Sequence, residues 1–177
     1  FAKQKGERKK LYDDALDLLK KRGAKLQPAT LPVFPVPALR LILNAESAAA
    51  FDDLTRDGGV DKLSGQRPSD WPNSFRSARL VPAVEYIRAM RMRTQLMRAM
   101  ESFFADWDVV VSPAFSDLLT ITNMTGHPQI TAPCGFVAGE PEALHFTGRL
   151  FEEGPMARVA KAYQDATDWT KKKPDGF

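Results

Sequence analysis

Cysteine is nearly absent from this chain. Cys134 is the single thiol among 177 residues, which excludes an internal disulfide framework and any multi-cysteine metal site. Histidine is almost as scarce: His127 and His145 are too few for a His-rich metal centre. Apolar runs such as 41–43 and 109–111 are short. None approaches the ~20 apolar residues that a helical bilayer span requires, so no membrane partner is expected. Glycine (11) and proline (13) stand near average usage, which excludes collagen-like and low-complexity classes. The positive excess is small, a net charge of +3, and is not by itself a nucleic-acid signature.

What is there is globular composition, 44% apolar and 27% charged. The length suits one domain of ordinary size. The chain opens on Phe1 and runs at once into Lys3, Lys5, Arg8, Lys9 and Lys10, without the long apolar core of a secretory signal. A processed chain or a piece of a longer one is the expectation, with the cytoplasm as its compartment.

Hydrophobic periodicity lays out the elements. Leu11, Ala15, Leu18 and Leu19 predict an amphipathic helix over 11–22, with Asp13, Asp14 and Asp17 toward its start, Lys20, Lys21 and Arg22 at its end, and Gly23 as cap. A strand is expected over 24–34, before the prolines at 32, 35 and 37. A second helix is expected from Pro37 through Leu54, and an irregular connection over 58–76. The longest helix is placed at 79–106, with Val84, Ile87, Met90, Met97, Met100, Phe103 and Phe104 as its apolar stripe. Strands follow at 108–112, 130–133 and 143–150, and a last helix begins at Pro155. Helices alternating with strands imply an α/β fold, helices packed on a mixed sheet.

Residue chemistry alone supplies no complete catalytic apparatus. Arg88, Arg91, Arg93 and Arg98 read as a solvated helix face, and no RNA-binding motif accompanies them. Nucleic acid is therefore not expected as a partner. Cys134 lacks a base that sequence can tie to it and reads as a buried structural thiol. His127 and His145 read as hydrogen-bonded structural groups. Gly58-Gly59 lacks the Lys-Ser/Thr that would make it a phosphate loop. The most distinctive stretch is Asn123-Met124-Thr125-Gly126-His127-Pro128-Gln129-Ile130-Thr131-Ala132-Pro133-Cys134-Gly135. It reads as a polar turn leading into a short strand, a location where α/β proteins place ligand contacts.

That stretch resembles the amidase signature family, whose later part carries Asn-x-Thr-Gly-x-Pro, a short strand and Pro-x-Gly. Further motifs follow in the family's order. Glu85-Tyr86-Ile87-x-Ala89 through Gln95, with Asp108-Val109-Val110-Val111-Ser112-Pro113, is similar to its long helix and the next strand. Phe146-Thr147-Gly148-Arg149-Leu150-Phe151 is similar to its penultimate strand, and Ala160-x-Ala162-Tyr163-Gln164 to its closing helix. The opening Ala15-Leu16-Asp17-Leu18-Leu19 through Gly23-Ala24 resembles the unit that starts its C-terminal half.

The resemblance implies that residues 1–177 are the C-terminal portion of a single amidase domain. The activity implied is hydrolysis of carboxamides, or ammonia transfer in relatives acting on tRNA, without metal or other cofactor. The partners implied are the N-terminal half of the same amidase and a small-molecule amide, with homo-oligomer formation left open. The family's serine nucleophile, middle serine and lysine base lie in a Gly-Gly-Ser-Ser-Gly-Gly-Ser loop and upstream of it. No Ser-Ser pair occurs here, so no residue inherits a catalytic role, and this chain alone is expected to be inactive. A non-catalytic scaffold that keeps the fold is the alternative. Substrate-reading roles implied by the resemblance fall on Asn123 and Thr125 of the turn, on Asp117 as the acidic residue before it, and on Arg79, or Arg76, ahead of the long helix.

Overall fold

The computed structural model describes residues 1–174. They fall into two units. One comprises Phe1–Pro32 with the chain from Ala99 onward; the other is Val33–Arg98.

The first unit is built on a three-stranded sheet, β1 (Val110–Pro113), β2 (Gln129–Val137) and β3 (Glu140–Thr147), in the order β1-β3-β2. Both pairings are antiparallel, with Phe146 opposite Val111 on one side and Ile130 on the other. A tight turn at Ala138 (φ 52°) and Gly139 (φ 81°) joins β2 to β3. Positive φ at both positions gives the turn the twist that a hairpin needs.

Strand alternation divides the sheet into two unlike faces. Ala132, Cys134, Leu144 and Phe146 form one. They pack with Tyr12, Ala15 and Leu19 of α1 (Gly6–Lys21) and with Met156, Ala160 and Tyr163 of α7 (Glu153–Asp165). Burial of this face is the main drive for folding of the unit, at roughly 25 cal/mol per Å² of apolar surface removed from water. Gly135 makes the close approach of α1 feasible. The register shifts there, φ is +147°, and a Cβ would lie 2.4 Å from Leu11 Cδ1. The second face carries Ser112, His145, Thr131, Thr147 and Gln129, a polar set. Tyr12 Oη donates to Glu142 Oε2 at 2.6 Å, and Arg8 Nε to the other carboxylate oxygen at 2.5 Å. These bonds tie α1 to β3.

The second unit contains α2 (Val36–Ala50), α3 (Asp52–Arg56), a 3-10 turn (Gly59–Lys62), α4 (Trp71–Ala78) and most of α5 (Ala83–Phe104). Leu39, Ile42, Val60 and Phe75 are among its buried side chains.

The α/β class holds, with several local differences from the expected elements. Residues 24–34 form no strand. Pro28, Pro32 and Pro35 lack the N–H that a ladder requires. The helix expected to run to Leu54 breaks at Phe51, whose ring stacks on Phe75 at 4.7 Å. The connection 58–76 contains a helix, because Trp71-Pro72 puts proline in a first turn where its missing N–H costs nothing. The Asn123 stretch does lead into a strand, β2, but Asn123 and Thr125 belong to a helix rather than to a turn. Residues Asp117–Thr125 are helical as α6, and Gly126 (φ 82°) is its left-handed cap. On α5 the fully buried line is Leu96, Met100 and Phe104, spaced by four, while Val84 and Ile87 are 65% and 52% exposed.

Candidate substrate-contacting region

Asp117, Asn123 and Thr125 all lie on α6, but the helix separates them. Two residues apart on a helix means about 200° of rotation, so Asn123 and Thr125 face opposite ways. Asn123 is exposed; Thr125 is buried at 2%. Asp117, in the first helical turn, is in solvent, with Lys3 Nζ 3.8 Å away. Its carboxylate suits the positive end of the helix dipole. Arg79 lies in the other unit, at the end of α4, with its Nε 2.9 Å from Asp52 Oδ1. Arg76 is bound to Asp61 and to Asn73 Oδ1. Asp52 is held below the ordinary carboxylate range, first by its bond from Arg56 and then by the charges of Arg56 and Arg79.

Thr125 reaches its surroundings through His127. Its hydroxyl lies 3.0 Å from Ile121 O and 2.8 Å from His127 Nδ1. The single hydroxyl proton goes to the carbonyl, which cannot donate, so Nδ1–H of His127 donates to Oγ1. The imidazole also stacks on Phe104, with centroids 4.7 Å apart. Burial lowers its pKa and keeps it neutral. Arg149 Nε donates to Phe104 O at 3.0 Å and to Trp107 O at 3.1 Å, closing the end of α5. The motif of Asn123 to Pro128 thus turns one exposed amide outward and ties the next polar residue into the core. His127 is hydrogen-bonded as its sequence context suggested. Cys134 is buried and its thiol is pushed up to about 12, chiefly by desolvation, so it is inert.

His145 differs. It is 6% exposed and its Nδ1 has no hydrogen-bond partner. No sequence signal separates it from His127, since both sit among apolar and hydroxyl residues. Among the described residues no group of three His, Cys, Asp or Glu could hold a metal ion, and no helix is long and apolar enough to cross a membrane. A shallow depression of about 320 Å³ beside β2, lined by Ile130, Ala160 and Gln164 among others, includes none of the candidate residues.

No family model matches the chain. Comparison with known proteins does find relatives. A glutamyl-tRNA(Gln) amidotransferase chain from Roseiflexus sp. (strain RS-1) is 29% identical over 204 residues, taking in 91% of this chain and 41% of the relative. One from Geobacillus thermodenitrificans is 38% identical over 109 residues, half of this chain and 22% of the relative. Among solved structures, a bacterial aryl acylamidase of the amidase signature enzymes superimposes with a TM-score of 0.70 over 92% of this chain, at 16% identity. The peptide amidase of Stenotrophomonas maltophilia gives 0.74 over 97%, at 20% identity. This is the amidase signature fold. The resemblance read from the motifs is met by sequence relatives and structural neighbours alike. The chain spans about two fifths of the length of the relatives that cover most of it: 41% of the Roseiflexus protein, and 40% and 42% of the two solved amidase signature chains.

Proposed function

We propose that this chain is the C-terminal part of an amidase that hydrolyses carboxamide C–N bonds other than peptide bonds. In this reading the serine nucleophile, the middle serine and the lysine base come from the N-terminal half of the same amidase domain. The observation that carries it is one of coverage: over nine-tenths of the chain matches relatives of which it represents two fifths. The absence of a Ser-Ser loop within the 177 residues agrees.

The role of this portion is to form one wall of the substrate cleft. Asn123 is the residue best able to touch substrate, because it projects an amide donor and acceptor from the last turn of α6. Thr125 acts behind it by fixing His127 and the helix end. Asp117 has the charge to read a substrate's amino group. Arg79, in its own unit, has the charge to read a carboxylate. Neutral lysine must be desolvated to serve as a base, which assigns to the assembled domain the task of excluding water.

The test is ammonia release from a primary carboxamide, by the isolated chain and by the chain co-expressed with the N-terminal part of its domain. The expected result is turnover in the second case alone. Hydrolysis by the isolated chain would overturn the division of labour. Failure of the assembled domain to hydrolyse any amide tried would favour the scaffold, whose supporting observation is the same missing serine loop. In a competent assembly, Asn123→Ala should raise KM more than it lowers kcat.

A further inference from the structure

β2 is an edge strand of the sheet, and the ladder shows which of its backbone groups face outward. Gly148 N donates to Pro128 O, and Gln129 stands opposite Thr147. In an antiparallel pair the bonded positions recur at every second residue. Ile130 therefore bonds to Phe146, and Ala132 to Leu144. The N–H and C=O of Gln129 and Thr131, with the C=O of Pro133, point away from β3. Among the described residues no backbone group of another segment bonds to Gln129 or Thr131. Thr131 stands in one row with His145 and Ser112, yet those two are buried and Thr131 is exposed.

Folded proteins blunt an open strand edge with lysine, proline or a bulge. Gln129, Ile130 and Thr131 carry none of these, and two of the three are β-branched. The blunting starts only at Pro133 and at the register shift that follows it. Beside this edge lies the shallow depression of about 320 Å³. Ile130 and Ala160 line it, together with exposed Ala157, Gln164 and the ion pair of Lys161 with Asp165. The two charges neutralise each other, so the depression suits an uncharged side chain. On an added strand, the residue opposite Ile130 shares its face, which is the face that α7 covers.

We propose that the Gln129–Pro133 edge of β2 is a docking seam for one more strand, supplied by the part of the amidase domain outside these 177 residues. The proposal rests on the reading of this chain as the C-terminal part of that domain. Main-chain bonds to Gln129 and Thr131 give the pairing its strength, and an uncharged side chain opposite Ile130 enters the depression and sets the register. Two observations choose this occupant. The relatives that match over nine-tenths of this chain extend well beyond the match, since it is only about two fifths of their length. The sheet has three strands, against a usual ~5–6, so it is short of strands on the same count.

The test is amide hydrogen exchange, followed in the isolated chain and in the chain co-expressed with the N-terminal part of its domain. The amides of Gln129 and Thr131 should exchange fast in the isolated chain and about tenfold or more slowly in the assembly. The amides of Ile130 and Ala132, bonded to β3, should be slow in both. Thr131→Pro removes an N–H that the β2–β3 ladder does not use. It should leave the Tm of the free chain unchanged and weaken association with the N-terminal part about tenfold. Ala157→Arg, at an exposed position on α7, should weaken association as well by filling the depression. Edge amides that exchange equally fast in chain and assembly would overturn the seam, as would parental association by both variants or failure of the two parts to associate. Slowing that grows with the concentration of the isolated chain would overturn it too, in favour of a second copy. An assembly that hydrolyses an amide with these edge amides unprotected refutes the seam alone; a protected edge in an assembly that hydrolyses nothing refutes the amidase activity alone.

Discussion

Thr125 shows how much one hydroxyl can hold. It closes the last turn of α6 through Ile121 O and accepts from the imidazole that caps Phe104. Thr125→Val keeps the shape and removes both bonds, leaving Nδ1–H of His127 buried without an acceptor. The cost should be about 1–3 kcal/mol, read as a lower urea midpoint. The same imidazole makes stability depend on pH. Burial depresses the pKa of His127 in the folded state below the ordinary 6.5. The unfolded chain therefore takes up the proton first as pH falls. Stability is complete above about pH 6.5 and declines below it; His145, depressed in the same direction, adds to the loss. Urea midpoints between pH 7.5 and 5.5 should fall, and His127→Gln should flatten that slope. Asn123 and Thr125 were legible in the sequence as a special pair. That they look in opposite directions was not, because the glycine after them marks the end of a helix as readily as a tight turn.

At the level of elements, contact between α1 and the sheet depends on the missing side chain at position 135. Gly135→Ala meets Leu11 at 2.4 Å and a backbone angle that L-residues avoid. It should destabilise by about 1–3 kcal/mol, as overpacking does, and thermal unfolding would measure it. On α5, Met100→Ala should cost more, about 2–5 kcal/mol, because Met100 is fully buried; Ile87→Ala should cost little. That contrast tests the stripe directly. Periodicity located α5 to within a few residues but assigned its N-terminal half to a core. The first half of the helix presents Val84 and Ile87 to solvent, and nothing in a repeat of apolar residues tells a covered face from an open one. The strand expected at 24–34 failed for a different reason. Its strand-like pattern contains Pro28 and Pro32, which lack the N–H that a ladder requires.

For the molecule as a whole, exposed apolar surface is concentrated in the unit Val33–Arg98. Val33, Leu80, Val84, Ile87 and Trp71 are each more than half exposed there. Trp71, Phe75 and Phe51 form a continuous ring stack. Apolar patches of this kind drive association. The free chain should sediment with a concentration-dependent mass, and Trp71→Ser with Leu80→Ser should reduce that dependence. A monomer at all concentrations would contradict it. The α/β class, the long helix, the three strands to within a few residues and the amidase signature likeness could all be read from the residue string, because they follow from local periodicity and from ordered motifs. Which side chains meet could not. That Thr125 bonds His127, that Ser112, His145 and Thr131 stand in one row, and that Asp117 stays in solvent emerge in three dimensions alone. Those outcomes depend on strand register and helix rotation, which are set by packing between residues far apart in the chain and leave no mark in any short window of it.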